Sequence, residues 1–314
     1  MVMAKSYRLR QLLYKIESSY GTDPTPTVSA NYLEVLDLNI EPIVSDEAER
    51  QIISGYFGNY PVELVNKRAN VTFSCYLSGS GAAGTPPKYG DALEACNMTQ
   101  AIVSSTSVTY SPNSSTSGDS LTFYVNYNGV RQIIKGSRGT FNIEMTAGEL
   151  PVINFTFTGT FATPTDSAIG SPTKSNQATP LAFTAGNTSA FQLFSYAGAV
   201  QSWSFDMANE VVFRSLVGST DTVTITDRKP TGTAVIEAVA MSAKNFIDSA
   251  SNSAQGNNTL LHGTTAGNKV QLSCPQTDLG AITYEESDMV WMLNAPYRAI
   301  PTEAGNNEVE MKFL

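Results

Sequence analysis

The stretch Ile153-Asn-Phe-Thr-Phe-Thr-Gly-Thr-Phe161 sets Ile153, Phe155, Phe157 and Phe161 against Asn154, Thr156, Thr158 and Thr160. A period of two marks a strand with one face buried and one face wet, because successive side chains point to opposite sides of the pleat. The same period runs through Val71, Phe73, Cys75 and Leu77, separated by Thr72, Ser74 and Tyr76. It returns in Leu121, Phe123, Val125 and Tyr127, halts at the hairpin signal Asn128-Gly129, and resumes in Phe141, Ile143 and Met145. Charged residues make up only 15% of the chain, a balance that suits hydrogen-bonded β surfaces better than long solvated helices. A mainly β protein is expected.

Outward from these strands, the first segment follows another rule. Leu9, Leu12, Leu13 and Ile16 fall at i, i+3, i+4 and i+7, which predicts a short amphipathic helical arm ending at Tyr20-Gly-Thr-Asp-Pro-Thr-Pro-Thr27. Two further helical candidates are Tyr89-Gly-Asp-Ala-Leu-Glu-Ala-Cys96 and Lys244-Asn-Phe-Ile-Asp248. Residues 162–190, rich in Pro, Ser, Thr, Ala and Gly, have linker composition. With 314 residues, two domains are expected, and the reading is an N-terminal arm at 1–30, a first domain at 31–165, a linker at 166–190 and a second domain at 191–314.

The order of features recurs across that boundary. Asn66-Lys-Arg68 precedes the strand Val71 to Leu77 as Asp227-Arg-Lys229 precedes Thr233 to Met241, and one helical candidate follows in each half. Gly139-Thr-Phe-Asn-Ile-Glu-Met-Thr146 then lines up with Gly280-Ala-Ile-Thr-Tyr-Glu-Glu-Ser287. Chance similarity between two β-rich halves is the alternative.

The chemistry-bearing candidates are thin. Gly79-Ser-Gly81-Ala-Ala-Gly84 formally matches GxGxxG, but Thr85-Pro-Pro87 intervenes and no βαβ unit follows, so a flexible loop is the better reading. Lys135-Gly-Ser-Arg138-Gly139 has the makings of an anion nest, yet a tight turn between two strands explains its glycines as well. The single histidine, His262, sits in a polar stretch and reads as a solvated loop residue, without the parts of a zinc site or a triad. The acidic clusters Asp46, Glu47, Glu49 and Glu285, Glu286, Asp288 are ordinary on β loops. Three cysteines, Cys75, Cys96 and Cys274, give neither a disulfide framework nor a metal pattern and fit folding in a reducing cytoplasm. The net charge of −9 argues against a grip on nucleic acid. No apolar run approaches the roughly 20 residues of a membrane span, and the N-terminus shows no export signal, so no membrane association is expected. No catalytic residue, cofactor or metal is expected.

Several stretches are similar to one family. Leu12-Leu-Tyr-Lys-Ile-Glu17 leading into Tyr20-Gly-Thr-Asp-Pro resembles the N-terminal stretch of phage tail tube proteins. Leu77-Ser-Gly-Ser-Gly81, Pro86-Pro-Lys-Tyr-Gly90, Ala92-Leu-Glu-Ala-Cys96, Val108-Thr-Tyr-Ser-Pro112, Gly136-Ser-Arg-Gly139 and Phe155-Thr-Phe-Thr-Gly159 resemble the same family. In the second half, Ile225-Thr-Asp-Arg-Lys-Pro-Thr-Gly232 looks like its turn-plus-strand element.

The resemblance implies the major tail tube protein of a long-tailed, siphovirus-type phage. Its fold would be two tandem β-sandwich domains, each with a flanking helix, whose inner strands join those of neighbouring subunits in a ring-shaped β-barrel. A duplicated chain implies homotrimeric, pseudo-hexameric rings stacked into a tube, and a single-repeat chain implies a homohexamer. It further implies a virion protein synthesised in the host cytoplasm, with the tape measure protein and tail terminator or tip proteins as partners. Double-stranded DNA would pass through the lumen without specific binding. Another virion β-sandwich, such as a capsid decoration protein, fits the composition equally well, and a secreted carbohydrate-active enzyme ranks third.

Assembly contacts are expected at apolar residues that loops and chain ends do not need for themselves. These are Ile52, Ile53, Tyr56 and Phe57 in the loop Asp46 to Pro61, and Val212, Phe213 and Leu216 in the loop Glu210 to Asp221. They also include Leu9, Leu12, Leu13 and Ile16 of the arm, and Val309, Met311 and Phe313 of the alternating C-terminal strand. That strand suits either a sheet of its own domain or a neighbour's edge. Both ends are expected to lie outside the cores and to gain order on assembly.

Overall fold

A computed structural model describes residues 6–53 and 55–314. The chain begins with β1 (Arg10–Ile16), α1 (Val28–Asn31), β2 (Tyr32–Leu33), β3 (Leu38–Glu49) and β4 (Val62–Tyr76). It continues through α2 (Gly90–Glu94), β5 (Met98–Val103), β6 (Ser107–Pro112), β7 (Leu121–Tyr127), β8 (Gly129–Thr146), β9 (Val152–Phe161) and β10 (Thr165–Ser167). Then come β11 (Thr188–Leu193), β12 (Val200–Asp206), β13 (Asn209–Arg214), β14 (Thr222–Arg228) and β15 (Thr231–Glu237). The last part holds α3 (Phe246–Ser251), β16 (Gln255–His262), β17 (Val270–Leu279), β18 (Thr283–Ser287), β19 (Val290–Ala299) and β20 (Glu310–Phe313).

The protein is mainly β and sandwich-like. One layer is an antiparallel run of eight strands in the order β3-β4-β9-β8-β12-β15-β19-β18. Against its apolar face lie two further groups. One is β2-β1-β7 joined to the first part of β8, and the other is β11-β16-β17-β20-β6-β5. β13 and β14 form a separate two-stranded ribbon.

The expected alternation decides which face is buried. Val71, Phe73, Cys75, Phe141, Ile143, Met145, Ile153, Phe155 and Phe157 are all at most 2% exposed. Phe73 and Phe155 stack with centroids 5.1 Å apart, and Phe123 reaches Phe157 from the facing layer at 4.9 Å. The Asn128-Gly129 turn joins β7 to β8 with both residues at positive φ, 39° and 95°, as the tight hairpin turn requires. β8 bends between the two layers at a register shift between Lys135 and Arg138. Gly136 sits there at φ 59°, where a Cβ would lie 2.7 Å from the Tyr20 ring. The Lys135–Gly139 segment is therefore a bulge inside one long strand, not a turn between two. Helix α2 confirms one helical candidate, and three residues after its last, Asn97 takes a left-handed conformation at φ 67°. The other, α3, starts two residues beyond Lys244 and is capped by the Asn245 side chain.

Three expectations need correction. The N-terminal arm is not a helix: β1 is a strand between β2 and β7, with Leu12 and Leu13 fully buried and Tyr14 nearly so. Neither end lies outside the core, since β20 is inserted between β17 and β6 with Val309, Met311 and Phe313 buried. His262 is not a solvated loop residue but closes β16 at 2% exposure. Its Nε2–H donates to the Leu181 carbonyl at 3.1 Å, and Nδ1 lies 3.2 Å from the Thr188 hydroxyl. Burial lowers its pKa from the ordinary 6.5, with the Leu181 hydrogen bond opposing.

Residues 166–190 are docked along their length. Phe183 is buried and exchanges backbone hydrogen bonds with Gly148 and Glu149, while Ala178 N–H donates to Gly79 and Asn268 donates to Thr179. The GxGxxG loop is held by the second half as well, through Gly81 N–H to Gly267 O and Gly79 N–H to the Asn268 side chain. One hydrophobic cluster spans both halves. All three cysteines are buried and unpaired. Burial raises their thiol pKa, to about 12 for Cys274 and further for Cys75 and Cys96.

Leu12→Ala should lower the unfolding free energy by about 2–5 kcal/mol, measured by urea denaturation, because it opens a cavity in the core. An exposed arm would lose almost nothing. Because the folded pKa of His262 lies below its unfolded value, its neutral form supports the fold above about pH 6.5, and that support is lost as pH falls through the folded pKa. Stability of the wild type should therefore drop relative to His262→Gln as the pH is lowered from 6.5.

Candidate assembly surfaces

The second face of the eight-stranded sheet is mostly polar, interrupted by Val152, Val235 and Met292. Asn39, Glu41, Asn70, Thr72, Ser74, Asn154, Thr156, Thr158, Asn142 and Glu144 alternate with the buried set in β3, β4, β9 and β8, and none is buried. Ser202, Ser204, Asp206, Thr233, Glu237, Asn294, Arg298, Thr283 and Glu285 continue the face across β12, β15, β19 and β18. Side chains bond across strands: Ser74 Oγ donates to Asn154 Oδ1 at 2.6 Å, and Asn154 Nδ2 to Asn142 Oδ1 at 2.7 Å. Asn70 Nδ2 donates to Glu41 Oε2 at 2.7 Å, and Asn70 Oδ1 accepts from Thr158 Oγ1 at 3.0 Å. Its charges are mainly acidic, with Arg68 and Arg298 as counterweights.

This sheet ends in two open edges. β3 pairs only with β4, and β18 only with β19, among the described residues. Apolar groups gather near the second edge: Trp291 is 64% and Met289 93% exposed, and Tyr284 meets Trp291 edge to face at 6.2 Å. Exposed backbone and aromatic surface at one edge is what strand addition uses.

The sequence-predicted contact residues divide into two sets. Ile53 and Phe57 are completely exposed, Tyr56 nearly so, and Ile52 57%, at the end of the long β3–β4 hairpin. Leu216 and Leu9 are also exposed. Leu12, Leu13, Val309, Met311 and Phe313, in contrast, are occupied by the chain's own core. Ile16 is half-buried in β1. Val212 and Phe213 do not lie in a loop: both are half-buried in β13, and only residues 215–221 connect it to β14. Similarly, Asp46 to Glu49 belong to β3, so the first loop shrinks to 50–61. Composition gave no signal for the sheet edges, Tyr284, Met289 or Trp291.

The β13–β14 ribbon is docked on the first half of the chain. Asn209 Nδ2 donates to Cys96 O at 2.8 Å and Gly139 O at 3.0 Å, and Met207 N–H to Phe141 O. Arg138 Nη1 donates to Val223 O at 2.7 Å, and Val223 N–H donates to the Tyr20 hydroxyl at 2.6 Å. Further guanidinium bonds run from Arg138 to carbonyls of the 116–119 loop, including Gly118, so this cation is committed to backbone and does not form an anion nest. At the base, Arg228 pairs with Glu308 at 2.9 Å and donates to Asn113 O at 2.7 Å, with both ionic side chains nearly buried.

Among the described residues no group of acidic, histidine or cysteine side chains is arranged to hold a metal, and no helix is long and apolar enough to cross a membrane. A family model described as phage tail tube protein matches residues 8–310. No curated protein matches the chain.

Arg228→Ala should destabilise the protein by about 3–5 kcal/mol, since it strands the Glu308 carboxylate in a nearly buried site. Glu308→Gln should cost less, and comparing the two denaturation midpoints checks the clamp.

Proposed function

We propose that this chain, which belongs to the phage tail tube protein family, builds the wall of a siphovirus-type tail tube from a duplicated tube domain, three copies closing each ring. Membership makes it a structural protein of the virion tail, not an enzyme. The trimeric ring, the duplication and the genome channel are our reading. One observation carries it: the eight-stranded sheet divides into β3-β4-β9-β8 and β12-β15-β19-β18, joined where β8 pairs with β12 and open at β3 and β18. In each quartet the first strand runs into a hairpin, the second is followed by a helix, and the last two form a hairpin. The alignment of Gly139–Thr146 with Gly280–Ser287 matches the end of β8 with β18.

β18 stands to β3 as β8 stands to β12. A second copy therefore offers the open edge the partner it lacks, in a geometry the chain already uses between its own halves. Setting Trp203 beside Leu38 makes Tyr284 the counterpart of Ile143, opposite Ile40 of the next copy. Three copies would close the sheet with far more than the roughly 16–18 strands at which barrels enclose an aqueous channel. The polar face would line that channel. Its hydroxyls, amides and carboxylates offer a duplex few cations to condense on, so DNA would slide without specific binding. The tape measure protein would fill the lumen before DNA, and tail terminator and tip proteins would cap its ends, as the family implies. Leu9, Ile52, Ile53, Phe57 and Leu216 remain exposed for contacts between rings or between neighbours.

Purified chain should form hollow stacked rings, with three copies per ring by electron microscopy. Only monomers or globular trimers under all conditions would refute the tube, and six copies per ring would refute the duplication. Deleting Ile52 to Phe57 should leave a folded chain that no longer makes long tubes, and normal tubes would remove the hairpin tip from the assembly.

A further inference from the structure

Each quartet opens with a strand that runs on past the sheet into a hairpin stem. β12 passes through Met207-Ala208 into β13, and β14 returns into β15. β3 does the same in one piece: Val44 to Glu49 pairs with Val62 to Arg68, whereas β9 pairs with β4 only from Arg68 onward. The two stems meet different fates. The β13–β14 stem is covered by the half that supplies β8, the strand paired with β12, and Val223 and Ile225 are buried in that dock. Among the described residues the β3–β4 stem has no such cover beyond its base, where Arg68 lies 5.9 Å from the Phe213 ring. Ile43, Val62 and Leu64 are 43%, 44% and 37% exposed, although strands have no need of apolar residues on a wet face.

We propose that the β3–β4 stem lies on the second half of the next copy in the ring, across the Gly280–Ile282 turn between β17 and β18. This rests on the ring reading above and deepens it by assigning the stem's partner. Within the chain, the half whose strand pairs with β12 also receives the β13–β14 stem at Gly139 and Phe141. In the ring, the half whose β18 pairs with β3 receives the β3–β4 stem at the corresponding positions, Gly280 and Ile282. The chemistry of the two docks differs. With Leu38 set beside Trp203, Pro42 stands where Met207 donates its N–H, and Val44 where Asn209 donates its amide. Proline has no N–H and valine no polar group, so the dock between copies cannot repeat those hydrogen bonds. It packs Ile43, Val44, Val62 and Leu64 against Ala281 and Ile282. Withdrawing these apolar side chains from water on closure supplies affinity without directed hydrogen bonds. The stem thus works within a ring, and only the tip beyond it, at 50–61, is left to reach another ring.

The full chain carrying Leu64→Cys and Ala281→Cys, assembled into tubes and treated with a short bismaleimide, tests the assignment, since the three native cysteines are buried. On a denaturing gel the expected products are linked chains up to the copy number of one ring and no larger. A ladder continuing beyond that number would place the stem between rings and overturn the proposal, as would tubes that yield no linked chains. Independently, Val62→Asp with Leu64→Asp should retain the wild-type circular dichroism and lose rings altogether, sedimenting as a monomer. Single rings that fail to stack, or normal tubes, would overturn it. Failure of the wild-type chain to form rings would instead sink the tube reading itself, so the two failures are distinguishable.

Discussion

The pairing of β8 with β12 is the constraint on which the architecture depends. β8 is 18 residues long and serves two layers, pairing with β7 and β10 in its first part and with β9 and β12 in its last. The bend at Gly136 makes that double service possible. Without β12, β8 would present an unpaired edge, and so would β12 itself. Their union brings Phe205 against Phe141 at 6.3 Å and continues one polar face from Asn142 to Asp206. It also fixes where β13 departs, because the strand that pairs with β8 is the strand that carries the ribbon.

Most of the sheet was legible because one-sided burial imposes period two, and β4, β9 and the last part of β8 obey it. β1 was misread for a physical reason. Its side chains are buried on both faces, so Leu12, Leu13 and Tyr14 form a continuous apolar run, and Leu9 and Ile16 happen to complete a helical spacing. His262 was misread because a polar neighbourhood in sequence is not one in space: Leu181 and Thr188, which satisfy it, lie in the segment that looked like a free linker. β13 carries no clear alternation in its sequence, because Val211, Val212 and Phe213 are all half-buried on their two faces. Of the candidate surfaces, the hairpin tip was legible, since Ile53 and Phe57 are apolar where a turn needs polarity. The edges were not, because whether a strand lacks a neighbour is a property of the whole topology.

Two kinds of surface are thus offered by one molecule, and magnitude separates their roles. Edge amides are hydrated in the isolated chain, so each hydrogen bond formed there gains only about 0.5–1.5 kcal/mol net. Their value lies in register, since a one-residue slip reverses every side chain. Apolar groups such as Trp291, Met289 and Phe57 gain about 25 cal/mol for each Å² withdrawn from water and supply affinity without direction. Selectivity and strength of self-association are in this way carried by different residues and open to separate adjustment.

The burial of Cys75, Cys96 and Cys274 bears on a matter distant from packing. Oxidants and disulfides react with thiolates, and burial both denies access and holds these groups protonated. A protein repeated many times along a filament multiplies the chance that one reactive sulfur links to another or swells into a sulfonate. Here the chain presents no such sulfur from cysteine, so a finished particle exposed to air for long periods ages by routes other than thiol oxidation.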